Sequence, residues 1–251
     1  MGKLLTFIRR IQGLSTIVDY LKRNNEFLID IRKKQDEILN SARFSDSVID
    51  SQWFKYRNIS AGNSAMDYGA LYTLYRIIES VQPRRVLEFG LGQSSKIIHQ
   101  YATFNEGVFA ITYEHDLEWT SFFLKTINNL YAINVYKTEL FEYEYKNEKT
   151  LSYKDNCKEL LKQKYDLIVV DGPYGSKHYS RSQILHLIPY CLNERFCIML
   201  DDVNRLGEQE TVEEIEHILI ENNIKYCKKI YSSIKQHIVI CSNDLFFLTT
   251  M

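Results

Sequence analysis

The stretch VLEFGLGQSS, residues 86–95, decides how the rest of the chain is read. An apolar run of strand character meets Gly90 and Gly92, and the polar residues that follow suit the start of a helix. Glycines at such a turn let the backbone pass close to a ligand at the C-terminal edge of a sheet. The third glycine of a dinucleotide-binding fingerprint would fall at Ser95, so that pattern is incomplete.

Short apolar runs recur at 85–89, 108–113, 133–136, 166–170 and 196–200, mostly separated by helix-length segments, as parallel βαβ units require. The tail departs from this pattern. After a helix expected at about 208–222, KYCKKIY (225–231) and QHIVICS (236–242) are parted by only a few residues, which fits an antiparallel pair. The expected fold is α/β, a doubly wound, seven-stranded, mostly parallel Rossmann-like sheet over residues 81–251. Residues 1–80 are expected to form an N-terminal helical extension: a helix to about residue 40, a polar loop over 41–65, and a helix over about 66–80 ending near Pro83.

In the first helix Ile11, Leu14, Val18, Leu21 and Leu28 follow a 3–4 spacing, interrupted by Asn25 and Arg32. Packing on its own domain is the leading expectation. Pairing with a second copy, giving a homo-oligomer, and peripheral membrane contact through Lys3, Arg9 and Arg10 are the alternatives.

Composition narrows the function classes. The 251 residues are 45% hydrophobic and 25% charged with a net charge of −1, so no global basic field argues for a nucleic-acid partner. The five cysteines (Cys157, Cys191, Cys197, Cys227 and Cys241) include no CxxC and read as reduced core thiols. No apolar run approaches the ~20 residues of a transmembrane segment. MGKLLTFIRR lacks the features of a secretory signal, although Gly2 and Thr6 match a short myristoylation pattern that chance often produces. The expected location is cytoplasmic.

Five acids stand at or beside strand ends. Glu88 precedes Gly90 by two residues, where a carboxylate sits poorly beside a diphosphate and suits a ligand with positive charge. S-adenosylmethionine carries a sulfonium and an amino group and no phosphate. Glu114, closing the second strand in ITYEHD, lies where an acid accepts ribose hydroxyls. Asp171, in YDLIVVDGPYG, closes the fourth strand, and Asp201 and Asp202, in FCIMLDDVNR, close the fifth. Neighbouring strands would bring these last three together, where they repel unless a cation lies between them. Carboxylate oxygens suit a hard divalent ion such as Mg²⁺ or Mn²⁺. An Asp capping the following helix is the alternative for one of the pair. In the loop after Asp171, His178 is a candidate proton acceptor, and Lys177 and Arg181 could meet an acidic substrate such as a uronate.

Glu88 through Gly92 resemble motif I of class I S-adenosylmethionine-dependent methyltransferases. More narrowly, FGLGQSS, YEHDLEW, VVDGPYG and DDVNR resemble segments of the plant glucuronoxylan 4-O-methyltransferase group, with Asp201 where that group has His and Tyr174 where it has Arg. The Asp-then-AspAsp arrangement is also similar to metal-dependent O-methyltransferases acting on antibiotic sugars. The resemblance implies cofactor binding by Glu88, Gly90, Gly92, Ser94, Glu114 and Asp171. It also implies a divalent metal on Asp171, Asp201 and Asp202, and chemistry at Asp171 and Asp202, to which His178 is added from its loop position alone. The implied activity is methyl transfer to a sugar hydroxyl, with a saccharide acceptor in a polysaccharide or glycolipid. A nicotinamide-dependent oxidoreductase and a non-enzymatic binding scaffold are the alternatives from other classes.

Overall fold

The computed structural model describes residues 2–62, 65–154 and 157–251, with side chains from Gly13 onward except those of Cys157 and Lys158. The loop expected at Asn63 and Ser64, and the readings placed on the side chains of Gly2, Lys3, Thr6, Arg9, Arg10, Ile11 and Cys157, lie outside what is described.

Strands β1 (Arg85–Phe89), β2 (Phe109–Glu114) and β3 (Val135–Lys137) form one half of the main sheet. The hairpin β4 (Leu140–Tyr145) and β5 (Glu148–Tyr153) stands apart from it as a two-stranded sheet. Strands β6 (Tyr165–Val170), β7 (Leu192–Leu200), β8 (Tyr226–Ser232) and β9 (Gln236–Ser242) complete the seven-stranded sheet, ordered β3-β2-β1-β6-β7-β9-β8. Pairing is parallel from β3 to β7, and β9 runs antiparallel to both β7 and β8. This is the expected doubly wound architecture.

The helices are α1 (Gly2–Ser47), α2 (Tyr68–Val81), α3 (Gln93–Phe104), α4 (Leu117–Ile127), α5 (Cys157–Leu161) and α6 (Leu206–Glu221). Both sheet faces are covered, which explains the continuous apolar runs. Alternation sorts their side chains. Val86, Leu167, Val169, Cys197, Met199 and Val239 face a core shared with α2 and α3, whereas Leu87, Ile168, Val170, Ile198 and Leu200 face one shared with Ile215 and Leu219 of α6. Cys197 and Cys241 are buried in the first of these cores.

Three details differ from expectation. Helix α1 continues through the segment expected to be loop from residue 41, because Phe44 and Val48 are apolar anchors buried against the body. From Gly13 to Asp30 it is exposed throughout rather than packed on its own domain; only its C-terminal end docks on α2. The β4–β5 hairpin was not anticipated, although Lys146 and Asn147 adopt the positive φ values of a two-residue hairpin turn. Among the described residues, no helix is long and apolar enough to cross a membrane.

Strand order positions the site. The chain leaves β1 toward β2 on one side and returns through β6 on the other, so β1 and β6 flank a topological switch point. In register, Phe89 pairs with Tyr113 and Val170, and Val170 with Leu200. The residues that follow these strand ends therefore share one rim of the sheet.

Candidate active site

A cavity of about 910 Å³ opens at that rim, between the loops after β1, β2, β6 and β7. Gly90 and Gly92 line it, for different reasons. Gly90 has φ +96°, and a Cβ there would lie 2.9 Å from the Asp171 carbonyl, so both conformation and space require glycine. A Cβ on Gly92 would meet no protein atom within 4 Å and would project into open space. Trp119 closes this end, donating from Nε1 to the Leu91 carbonyl (2.7 Å), with Phe122 and Phe123 beside it.

Glu114 also lines the cavity, and it is heavily engaged. Its carboxylate accepts from the backbone N–H groups of Leu91 (2.8 Å), His115 (2.7 Å) and Asp116 (2.8 Å), and lies 3.0 Å from His115 Nδ1. Burial alone would raise its pKa, but these bonds outweigh that and hold it below the usual carboxylate range. It therefore fixes the glycine loop and the β2–α4 turn as a charged group.

Glu88 is fully buried and lies behind the loop, outside the cavity wall. Ser95 Oγ and Thr112 Oγ1 each donate to its Oε2 at 2.6 Å, and its Oε1 has no partner. Burial pushes its pKa up to about 7 against the opposing pull of the Ser94, Ser95 and Thr112 hydroxyls. Ser94 is likewise buried at the start of α3 and does not reach the cavity. These two residues support the loop from beneath and do not line the cavity, although cofactor contact was expected of both.

The opposite end of the cavity is acidic. One ligand atom from each of Asp171, Asp201 and Asp202 lies within 4.8 Å of the others, so the three expected acids do converge. Asp171 is partly exposed to the cavity, and Asp201 and Asp202 are buried. Burial raises the Asp171 pKa, with Arg181 pulling it down and Asp202 pushing it up. Burial, Asp171 and Asp202 drive that of Asp201 well up.

Cations already stand among these acids. Arg181, 4% exposed, donates from Nη2 to Asp202 Oδ2 (2.6 Å), lies 3.2 Å from Asp171 Oδ1 and donates from Nη1 to the Asp201 carbonyl (2.9 Å). Its Nε lies 3.7 Å from Glu208 Oε1. Arg205 Nη2 approaches Asp202 Oδ1 at 3.1 Å, and Lys235 Nζ lies 3.5 Å from Asp202 Oδ1 and 3.8 Å from Asp201 Oδ2. Asp202 and Arg181 both have left-handed backbones, at φ +64° and +59°, so the ion pair joins two strained residues. Both Asp201 carboxylate oxygens and Asp202 Oδ1 are buried without a hydrogen bond. That donor set fits an oxygen-seeking cation.

His178 and Lys177 stand apart from the cavity. His178 Nδ1 lies 2.9 Å from Glu210 Oε1 on α6, and the histidine in the wall is His115. Arg181 lines the cavity but is 4% exposed and already engaged by Asp171 and Asp202. Sequence reasoning missed the structural charge of Arg181 and its partner Glu208, because no local pattern pairs a loop arginine with strand ends. It also missed Tyr153 of β5, which lines the cavity, stacks on Phe89 (ring centroids 5.7 Å apart) and has a buried hydroxyl without a partner.

No protein-family model matches the chain, and no curated protein matches it. Among solved structures it is similar to an O-methyltransferase from Bacillus cereus in complex with S-adenosylhomocysteine, at 12% identity and TM-score 0.51, over 85% of this chain and 91% of that one. It is also similar to a candidate O-methyltransferase from Klebsiella pneumoniae, at 11% identity and TM-score 0.52, over 84% of this chain and 99% of that one. The chain therefore shares the Rossmann-like fold of these O-methyltransferases.

Proposed function

We propose that this protein is an S-adenosylmethionine-dependent O-methyltransferase acting on a sugar hydroxyl, within a polysaccharide or glycolipid, with a divalent cation on Asp171, Asp201 and Asp202. The observation that carries this reading is the two-ended cavity at the switch point. A glycine loop braced by Glu114 forms one end, and three convergent carboxylates form the other.

S-adenosylmethionine supplies an activated methyl group on a sulfonium, open to in-line displacement. The open space at Gly92 admits the cofactor, Glu114 offers its remaining lone pairs to ribose hydroxyls, and Trp119, Phe122 and Phe123 provide an apolar wall. A divalent cation supplies Lewis acidity that lowers a hydroxyl's pKa. Asp171, the member of the cluster open to the cavity, would hold the cation where an acceptor hydroxyl can reach it. Asp202 is tied to Arg181 and Arg205 and orients the others. Tyr174, 62% exposed on the rim, offers a face on which a sugar ring can stack.

A second reading, transfer without a metal, is favoured by one observation. Arg181, Arg205 and Lys235 already stand against the acids and offset much of their charge. Calorimetric titration with S-adenosylhomocysteine, with Mn²⁺ and then with chelator, and with NADH as control, tests the cofactor. Methyl transfer to a panel of saccharides under the same two conditions tests acceptor and metal. Micromolar binding of S-adenosylhomocysteine with silence toward NADH is expected, with turnover lost on chelation. Binding of NADH alone would move the assignment to an oxidoreductase, and silence toward both to a binding scaffold.

A further inference from the structure

Helix α1 presents an apolar face that no described residue of its own chain covers. From Gly13 to Asp30 every residue is exposed, including Leu14 (62%), Leu21 (59%) and Leu28 (62%). In a seven-residue repeat, Leu14, Leu21, Leu28 and Gln35 occupy position a, and Ile17, Asn24, Ile31 and Ile38 occupy position d. Val18, Tyr20, Phe27 and Leu39 widen the stripe at the flanking e and g positions. The outer b, c and f positions hold Asp19, Lys22, Arg23, Glu26, Asp30, Lys33, Asp36 and Glu37. The body attaches on that polar side: Glu37 accepts from the Tyr68 N–H (2.8 Å) and from Ser233 Oγ (2.7 Å), and Asn40 Nδ2 donates to Ser233 Oγ (3.1 Å). Ile38, at the edge of a cavity shared with Tyr68 and Ile234 of the body, is 72% exposed. The stripe, with polar layers at Asn24 and Gln35, thus runs past the domain into a stalk about 39 Å long over residues 14–39.

We propose that α1 pairs with α1 of a second copy as a parallel, in-register coiled coil. Three features select this occupant. From Leu14 to Ile38 the a and d positions carry no charge, and the flanking cations Arg32 and Lys34 would sit beside Phe27 and Leu39 of the other helix, not beside each other. The polar layers Asn24 and Gln35 would each meet their own copy and hydrogen-bond, whereas antiparallel pairing that overlaps the whole of residues 14–38 would set Asn24 against Leu28 and Gln35 against Ile17. The outer face mixes Asp19, Glu26, Asp30, Asp36 and Glu37 with its cations, unlike the Lys/Arg-rich polar face that holds a helix on an anionic membrane. A parallel pair places both bodies at the same end of the stalk.

The test is sedimentation of the full-length chain at micromolar concentration, with two kinds of variant. Wild type is expected at twice the monomer mass, Leu21→Glu/Leu28→Glu at monomer mass, and Ile29→Glu, outside the stripe, at twice the monomer mass. Under mild oxidation Leu14→Cys is expected to form a covalent dimer in excess of the wild-type background, since in-register pairing sets residue 14 beside its own copy. A monomeric wild type would overturn the proposal, and its flotation with anionic vesicles would name a membrane as the occupant instead. Dimerisation that survives Leu21→Glu/Leu28→Glu would place the interface elsewhere, and a dimer without Leu14→Cys cross-linking would overturn the parallel register.

Discussion

Arg181 Nη2 stands 2.6 Å from Asp202 Oδ2 and 3.2 Å from Asp171 Oδ1, so one buried guanidinium ties the end of β6 to the end of β7. Its removal leaves several acids facing one another with less compensation. Arg181→Met is expected to cost about 3–5 kcal/mol of stability, as for breaking a buried ion pair. Urea unfolding measures this, and Mn²⁺ should restore part of the loss if the acids form a cation site. A variant as stable as wild type would show that the cluster sheds its charge by protonation.

Asp201 is the cleanest probe for a bound cation, because both its carboxylate oxygens lack hydrogen bonds whereas Asp202 is held by Arg181 and Arg205. Asp201→Asn is expected to leave S-adenosylhomocysteine affinity within about threefold, roughly 0.7 kcal/mol, while abolishing the stimulation of turnover by Mn²⁺. Equal losses in binding and turnover would argue against a metal there.

The two loop glycines should separate fold from ligand. Gly90→Ala meets both an unfavourable φ and the Asp171 backbone, and is expected to destabilise by about 2 kcal/mol or more. Gly92→Ala meets no protein atom and should melt like wild type, yet bind S-adenosylhomocysteine at least about tenfold more weakly, a loss of roughly 1.4 kcal/mol. Thermal melts with calorimetry on both variants test the pair of outcomes. Undiminished affinity in Gly92→Ala would place the cofactor away from this loop.

Glu88 makes stability depend on pH. Its folded pKa of about 7 lies above the ordinary value of 4.5, so the folded state holds the proton more tightly than the unfolded chain. Its contribution is most favourable below pH 4.5 and declines as pH rises toward 7, by about 3 kcal/mol in all. Glu88→Gln, which cannot ionise, should gain stability relative to wild type between pH 5 and 8. A difference between the two melts that ignores pH would mean that Glu88 stays charged in the fold.

Much of this protein was legible residue by residue. Apolar runs of strand length, the Gly90–Gly92 turn and the short link before QHIVICS determined a doubly wound sheet with an antiparallel edge, because periodicity and connection length are local properties. The same logic placed Glu114, Asp171, Asp201 and Asp202 at strand ends, and parallel order brought them to one rim. Only the tertiary structure decided what those acids face. Arg181, Glu208 and Lys235 come from three separate segments, and their meeting depends on how loops fold back over the sheet. Likewise, the spacing in α1 marked an apolar stripe but not its direction. The docking of Glu37, Asn40 and Phe44 on the body turns that stripe outward, because a helix has one orientation once its polar side is anchored.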